Sequence, residues 1–158
     1  MSADMNAGTS KTVINDEQDL QALLAGSELV LINTYRGKWC PFCRSYLGSL
    51  DKVFRDQSNQ LKIYGVSVDE VDENAELKAK LGIGFDLLQD ASLLFHHQFA
   101  VHTGKGHGKE AYLQPAVFLF HNGEKVYEWI QTPSLLNMGG ATSRVSVKKV
   151  LAEVNKHR

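Results

Sequence analysis

Apolar positions along the chain fall into continuous runs of strand length and stretches with three-and-four helical spacing, and the two kinds alternate. Residues 16–24 put Leu20, Leu23 and Leu24 on one face and gather Asp16, Glu17 and Asp19 at the start, which predicts a short amphipathic helix ended by Gly26. Residues 28–35 form an apolar, β-branched run that reads as a buried parallel strand. From Cys43 onward Tyr46, Leu47, Leu50, Val53 and Phe54 repeat at helical spacing, which predicts a long helix finishing within residues 56–59. Residues 61–68 read as a second strand with Asp69 at its carboxyl end, and residues 72–81 as a helix stopped by Gly82 and Gly84. Strand, helix, strand is the order of a βαβ unit.

Residues 85–88 read as a short extended piece. Asp90, Ala91 and Ser92 are expected to cap a helix running to about residue 100, with Leu93, Leu94, Phe95, Phe99 and Val101 as core. The glycine-rich residues 103–110 match neither Gly-x₄-Gly-Lys-Ser/Thr nor Gly-x-Gly-x-x-Gly, so they predict a mobile surface loop bordering a site, not a phosphate cradle. Residues 114–120 read as a strand opened by Pro115, and His121-Asn122-Gly123-Glu124 as a hairpin turn leading into an edge strand over 125–130. A final helix, capped by Thr142 or Ser143 after Gly139-Gly140-Ala141, is expected to turn Val147, Val150, Leu151 and Val154 inward.

At 158 residues, 43% hydrophobic, the chain is long enough for one domain with a real core, expected over residues 13–158 behind a polar, disordered lead at 1–12. A net charge of −1 argues against nucleic acid or an anionic membrane as the main partner. No apolar run approaches the ~20 residues of a membrane span, and the start lacks the pattern of a secretory signal, so the cytoplasm is the expected compartment.

Only two cysteines occur, Cys40 and Cys43, in Trp39-Cys40-Pro41-Phe42-Cys43 between the first core strand and the long helix. Pro41 suits the first helical turn. Free N–H groups and the positive end of the dipole at that tip stabilise a thiolate, lowering a pKa of ~8.5 to between ~3.5 and ~7.5. Arg36, Lys38 and Arg44 add positive charge nearby. The favoured reading is a reactive dithiol that cycles to a disulfide, with Cys40 half open to water. Three alternatives stand beside it: half of a zinc site, for which no second ligand pair follows at the usual spacing; a structural disulfide, whose loop is too small to stabilise much; and inert buried thiols. His96 and His97 adjoin each other and point different ways, without evident partner ligands.

With these elements in order, the chain resembles the thioredoxin superfamily, and within it the peroxiredoxin-like branch related to alkyl hydroperoxide reductase and thiol-specific antioxidant proteins. The resemblance covers residues 29–154. It is carried by Tyr35-Arg36-Gly37-Lys38-Trp39-Cys40-Pro41-Phe42-Cys43, by Val66-Ser67-Val68-Asp69, by Lys80-Leu81-Gly82-Ile83 and by Phe85-Asp86-Leu87-Leu88-Gln89-Asp90. It implies an α/β, thioredoxin-like fold: a central mixed β-sheet flanked by helices on both faces. It also implies a cofactor-free, metal-free oxidoreductase with antioxidant activity that reduces a peroxide or a protein disulfide. The reductant implied is an external thiol such as thioredoxin or glutathione, and a homodimer is left open.

Two mappings of the site follow from the resemblance. In the thioredoxin-like one, Cys40 is the exposed nucleophile, Cys43 resolves, and Pro115 is the cis-proline facing the dithiol. In the peroxiredoxin-like one, Cys43 is the peroxidatic sulfur that becomes a sulfenic acid, and Cys40 stands where a hydroxyl residue is usual. Arg36 then replaces the usual proline, and Gln114-Pro115-Ala116 replaces an arginine at the late strand, leaving Arg36 or Arg44 as the activator. Trp39 is expected to shield the site. The alternatives are a thioredoxin-type disulfide reductase without peroxidase activity and a non-catalytic redox-sensing or metal-binding module.

Overall fold

A computed structural model describes residues 12–57 and 60–158. In chain order these residues form β1 (Val13–Ile14), α1 (Glu17–Leu24), β2 (Leu29–Thr34), α2 (Pro41–Phe54), β3 (Leu61–Ser67), α3 (Val71–Leu81), β4 (Asp86–Asp90) and α4 (Leu94–Phe99). There follow β5 (Thr103–Gly106), β6 (Lys109–Leu113), β7 (Ala116–His121), β8 (Glu124–Ile130), a 3₁₀ segment (Leu135–Gly140) and α5 (Val147–Asn155). Six strands make one mixed sheet in the order β1-β4-β3-β2-β7-β8. The expected α/β, thioredoxin-like architecture is therefore present. β2 lies at the centre, parallel to β3 and antiparallel to β7.

Side-chain alternation along β2 builds the layers on either side. Val30 and Ile32 join Leu20 and Leu24 of α1, Phe95 of α4 and Phe118 and Phe120 of β7 in one core. Leu29 and Leu31 point the other way, against Tyr46, Leu50 and Phe54 of α2 and Val150 and Val154 of α5. A third cluster, with Tyr35, Cys40, Cys43, Leu47, Leu77, Ile83 and Leu87, seals the end of the sheet where β2 passes into α2. At the opposite edge Asn122 and Gly123, both with positive φ, make the hairpin turn into β8, and the Gly123 φ of +85° is one a glycine adopts without strain.

Several elements depart from the sequence reading. β1, two residues long, continues the sheet beyond β4 and carried no periodic signal. Most of the residues 1–12 assigned to a lead lie outside the described residues. α5 begins at Val147, with the Ser146 hydroxyl accepting from Lys149 N–H, because Thr142 and Ser143 fall in the turn after the 3₁₀ segment. Residues 103–110, expected to be a loop, instead form strands. β5 and β6 pair as an antiparallel ribbon whose turn is made by His107 at φ 54° and Gly108 at φ 82°. None of the described peptide bonds is cis, so Pro115 is trans and not the cis-proline of the thioredoxin-like mapping.

Candidate active site

The two cysteines sit at the start of α2, where free backbone N–H groups face the sulfurs. Cys40 is the N-cap in extended geometry, its sulfur accepting from Cys43 N–H at 3.4 Å, and Pro41 follows where no donor is needed. Both thiols are free. Each is only 1% exposed, so the half-open Cys40 expected from sequence is corrected: the sulfur is buried.

The sulfurs are backed by the apolar cluster around Leu47 and Leu87 and faced by two arginines. Arg36, 8% exposed, leaves the end of β2 and places Nη1 3.9 Å from Cys40 Sγ, while its backbone N–H reaches Cys43 Sγ at 3.4 Å. Arg144, half-buried in the segment before α5, brings Nη2 to 3.1 Å from Cys43 Sγ and 3.9 Å from Cys40 Sγ. Its Nη1 donates to the carbonyls of Ala141 and Ser143, which fixes the guanidinium over the pair. Arg44, the other arginine considered from sequence, instead donates to the Lys38 carbonyl at 2.7 Å and braces the loop.

These neighbours split the two sulfurs electrostatically. The hydrogen bond from the Cys43 thiol, then the Cys43 N–H and the Arg144 and Arg36 charges, hold Cys40 down to about 5 despite its burial. Burial, followed by the adjacent Cys40 thiolate, pushes Cys43 up. Of the two sulfurs, Cys40 is the one these neighbours favour as the thiolate and Cys43 the one they favour as the thiol.

Around this pair a frame of polar groups holds the loop. Asp69, fully buried at the carboxyl end of β3, accepts from Lys38 N–H at 2.7 Å, and Lys109 of β6 reaches the same carboxylate at 3.7 Å and Glu73 at 2.9 Å. Burial holds the Asp69 carboxyl above the ordinary range. Trp39 stacks on His107 from the ribbon turn at 3.6 Å between ring centroids, with 7° between planes. Arg36 lies 4.8 Å from the Trp39 ring and donates from Nη2 to the Tyr112 hydroxyl at 3.0 Å. Trp39 thus packs over the site between the guanidinium and the ribbon, as the shielding expectation had it. Pro115 is buried at the start of β7, where its carbonyl accepts from Gln131 N–H.

The AhpC/TSA family pattern matches residues 4–128, which include the dithiol and its frame. The chain belongs to the AhpC/TSA family. Solved structures of peroxiredoxin-like proteins share its fold. One from Aquifex aeolicus superposes with a TM-score of 0.68 at 17% identity, over 84% of this chain and 73% of its own. The bacterioferritin comigratory protein of Xanthomonas campestris, described for its alkyl peroxide reduction activity, gives 0.64 at 21% identity over 83% and 80%. The peroxidoxin BcpB of Mycobacterium tuberculosis gives 0.64 at 20% identity over 88% and 85%. No curated protein sequence matches the chain.

Within this AhpC/TSA domain, sequence reasoning placed Cys40, Cys43 and Arg36 and missed Arg144, Tyr112 and His107. Arg144 lies 104 residues from Cys40 and has no local signature. Tyr112 lies just beyond the glycine-rich stretch and carried no signal of its own. Among the described residues no helix is long and apolar enough to cross a membrane.

Proposed function

We propose that this AhpC/TSA domain is a thiol peroxidase in which Cys40 attacks a peroxide and Cys43 resolves it. The observation that carries the reading is the Cys40 sulfur at the N-cap of α2, accepting from Cys43 and faced by two guanidinium groups. The Cys40 thiolate attacks the terminal oxygen of ROOH, the O–O bond breaks, and the leaving RO⁻ takes a proton to give ROH. Cys40 is left as a sulfenic acid. The Cys43 sulfur then attacks the Cys40 sulfur, a disulfide forms, and the hydroxyl departs as water. An external dithiol or glutathione returns both sulfurs to the reduced state. No bound cofactor enters these steps.

Burial suits this substrate class, because a peroxide is small and each sulfur is only 1% exposed. Arg36 and Arg144 supply the positive charge that the late-strand arginine of the family's usual pattern would give. The proposed site is Cys40, Cys43, Arg36 and Arg144. Pro115, trans and buried just before β7, is left with a packing role.

A second reading rests on two contacts. Arg144 Nη2 is nearer to Cys43 Sγ, at 3.1 Å, and Arg36 N–H also points there, as a peroxidatic Cys43 would require. Rapid mixing of reduced protein with hydrogen peroxide separates the two. If Cys40 attacks, Cys40→Ser is inert, Cys43→Ser stops at a trappable sulfenic acid, and wild type forms the disulfide. The mirror-image result assigns the attack to Cys43. Wild-type thiols that react no faster than free cysteine, in a protein that nevertheless reduces insulin, overturn the peroxidase in favour of protein-disulfide reduction.

A further inference from the structure

The Arg36 fork is shared. One terminal nitrogen faces Cys40 Sγ at 3.9 Å, and the other donates to the Tyr112 hydroxyl at 3.0 Å. The phenol is 4% exposed, and among the described residues no hydrogen bond takes its own proton. Two further donors of this cluster, Arg36 Nε and Trp39 Nε1, are buried without an acceptor. Buried donors left unpaired cost about 1–3 kcal/mol each, so three of them on side chains in mutual contact describe a site that lacks acceptor oxygens.

The ribbon is shaped to put the phenol there. Gly104 on β5 pairs with Tyr112 on β6, and a Cβ at position 104 would lie 2.6 Å from Tyr112 Cζ. The ring therefore crosses the neighbouring strand only because residue 104 is glycine. Trp39 meets the same ring edge-on at 5.1 Å between centroids. Arg36, in the loop between β2 and α2, thus links the phenol on β6 to the Cys40 sulfur at the tip of α2.

We infer that Tyr112 is a catalytic residue of the peroxide step, donating its hydroxyl proton to the departing oxygen. This rests on the reading in which the Cys40 thiolate is the nucleophile. The thiolate lone pair forms the S–O bond with the terminal oxygen of ROOH. The O–O electron pair leaves on the inner oxygen, and that oxygen takes the Tyr112 proton to become ROH. The phenolate, held by the Arg36 Nη2–H bond, regains a proton from water. The cation's hydrogen bond to the phenolic oxygen strengthens the phenol's own donation. A general acid of this kind contributes roughly 10²–10⁴-fold.

The test is Tyr112→Phe, a change that keeps the ring. Peroxide-dependent thiol loss is followed by rapid mixing with hydrogen peroxide, tert-butyl hydroperoxide and cumene hydroperoxide, whose leaving oxygens differ in basicity. The expected result is a fall of about 100-fold, growing with the basicity of the leaving oxygen. The Cys40 titration midpoint stays in place, and so does the rate with an aryl disulfide, whose leaving thiolate needs no proton. A fall below about threefold overturns the assignment, and so does an equal loss with the aryl disulfide, which would mark a structural role. Cys40→Ser is run alongside. If that variant still consumes peroxide at the wild-type rate, the Cys40 assignment and the proton donor built on it both fall and the attack passes to Cys43. If it is inert while Tyr112→Phe reacts normally, only the proton donor falls.

Discussion

Replacing Arg144 by methionine removes a guanidinium that lies 3.9 Å from Cys40 Sγ and 3.1 Å from Cys43 Sγ, while keeping much of the apolar stem. Unit charges about 4 Å apart attract by ~4 kcal/mol at an effective dielectric of ~20 and by ~1 kcal/mol in water. Arg144 is half-buried, so solvent screening places its effect toward the lower end, at about 1–2 kcal/mol. Since ~1.4 kcal/mol moves a titration midpoint by one pH unit, Cys40 in the variant should ionise roughly one pH unit above its wild-type value of about 5. The assay follows thiolate absorbance in the reduced protein across the acid and neutral range. Arg44→Met is the matched control, because Arg44 donates to the Lys38 carbonyl and not to a sulfur, and its midpoint should match wild type. An unmoved midpoint in Arg144→Met, or an equal rise in Arg44→Met, refutes the electrostatic role assigned to residue 144.

Leu47→Ala should lower unfolding stability by about 2–5 kcal/mol in denaturant titrations, because Leu47 is fully buried in the cluster that backs both cysteines; a loss below ~1 kcal/mol would contradict that packing. A pH dependence follows from Cys40. Its folded pKa of about 5 lies below the ~8.5 of an unfolded thiol, so between those values the unfolded chain binds more protons and the thiolate's contribution to stability grows with pH. That contribution is complete above ~8.5 and is lost as pH falls through about 5, while the raised Cys43 works against it only at alkaline pH. The stability gap between reduced wild type and Cys40→Ser should therefore widen between pH 5 and pH 8, and a gap that stays constant contradicts the depressed pKa.

The sheet and its helices were legible because their signals are local. The β2 run, the 46–47–50–54 stripe of α2 and the Asn122-Gly123 turn each state their structure within a few residues. The dithiol was legible for the same reason, since a strand, two cysteines and a proline define a helix tip. What escaped depends on contacts between distant parts of the chain. Glycines at 104, 106 and 108 argued for looseness, yet Gly104 makes room for Tyr112, and the 107–108 turn closes a ribbon held by the His107 stack on Trp39. Arg144 reaches the sulfurs through a segment whose backbone is set by the Asn137 side chain bonding at Thr132, Ser134 and Gly140, a pattern without hydrophobic period. The burial of Cys40 was equally hidden, because its cover combines side chains from several elements, Leu77, Leu87 and two arginines among them.

The most direct test is site-resolved alkylation of reduced wild-type protein as a function of pH, with Cys40 and Cys43 quantified separately by mass spectrometry. The account predicts that Cys40 labels with a midpoint near 5 while Cys43 stays inert until alkaline pH. A Cys40 midpoint at the ordinary ~8.5, or a low midpoint belonging to Cys43, would contradict it.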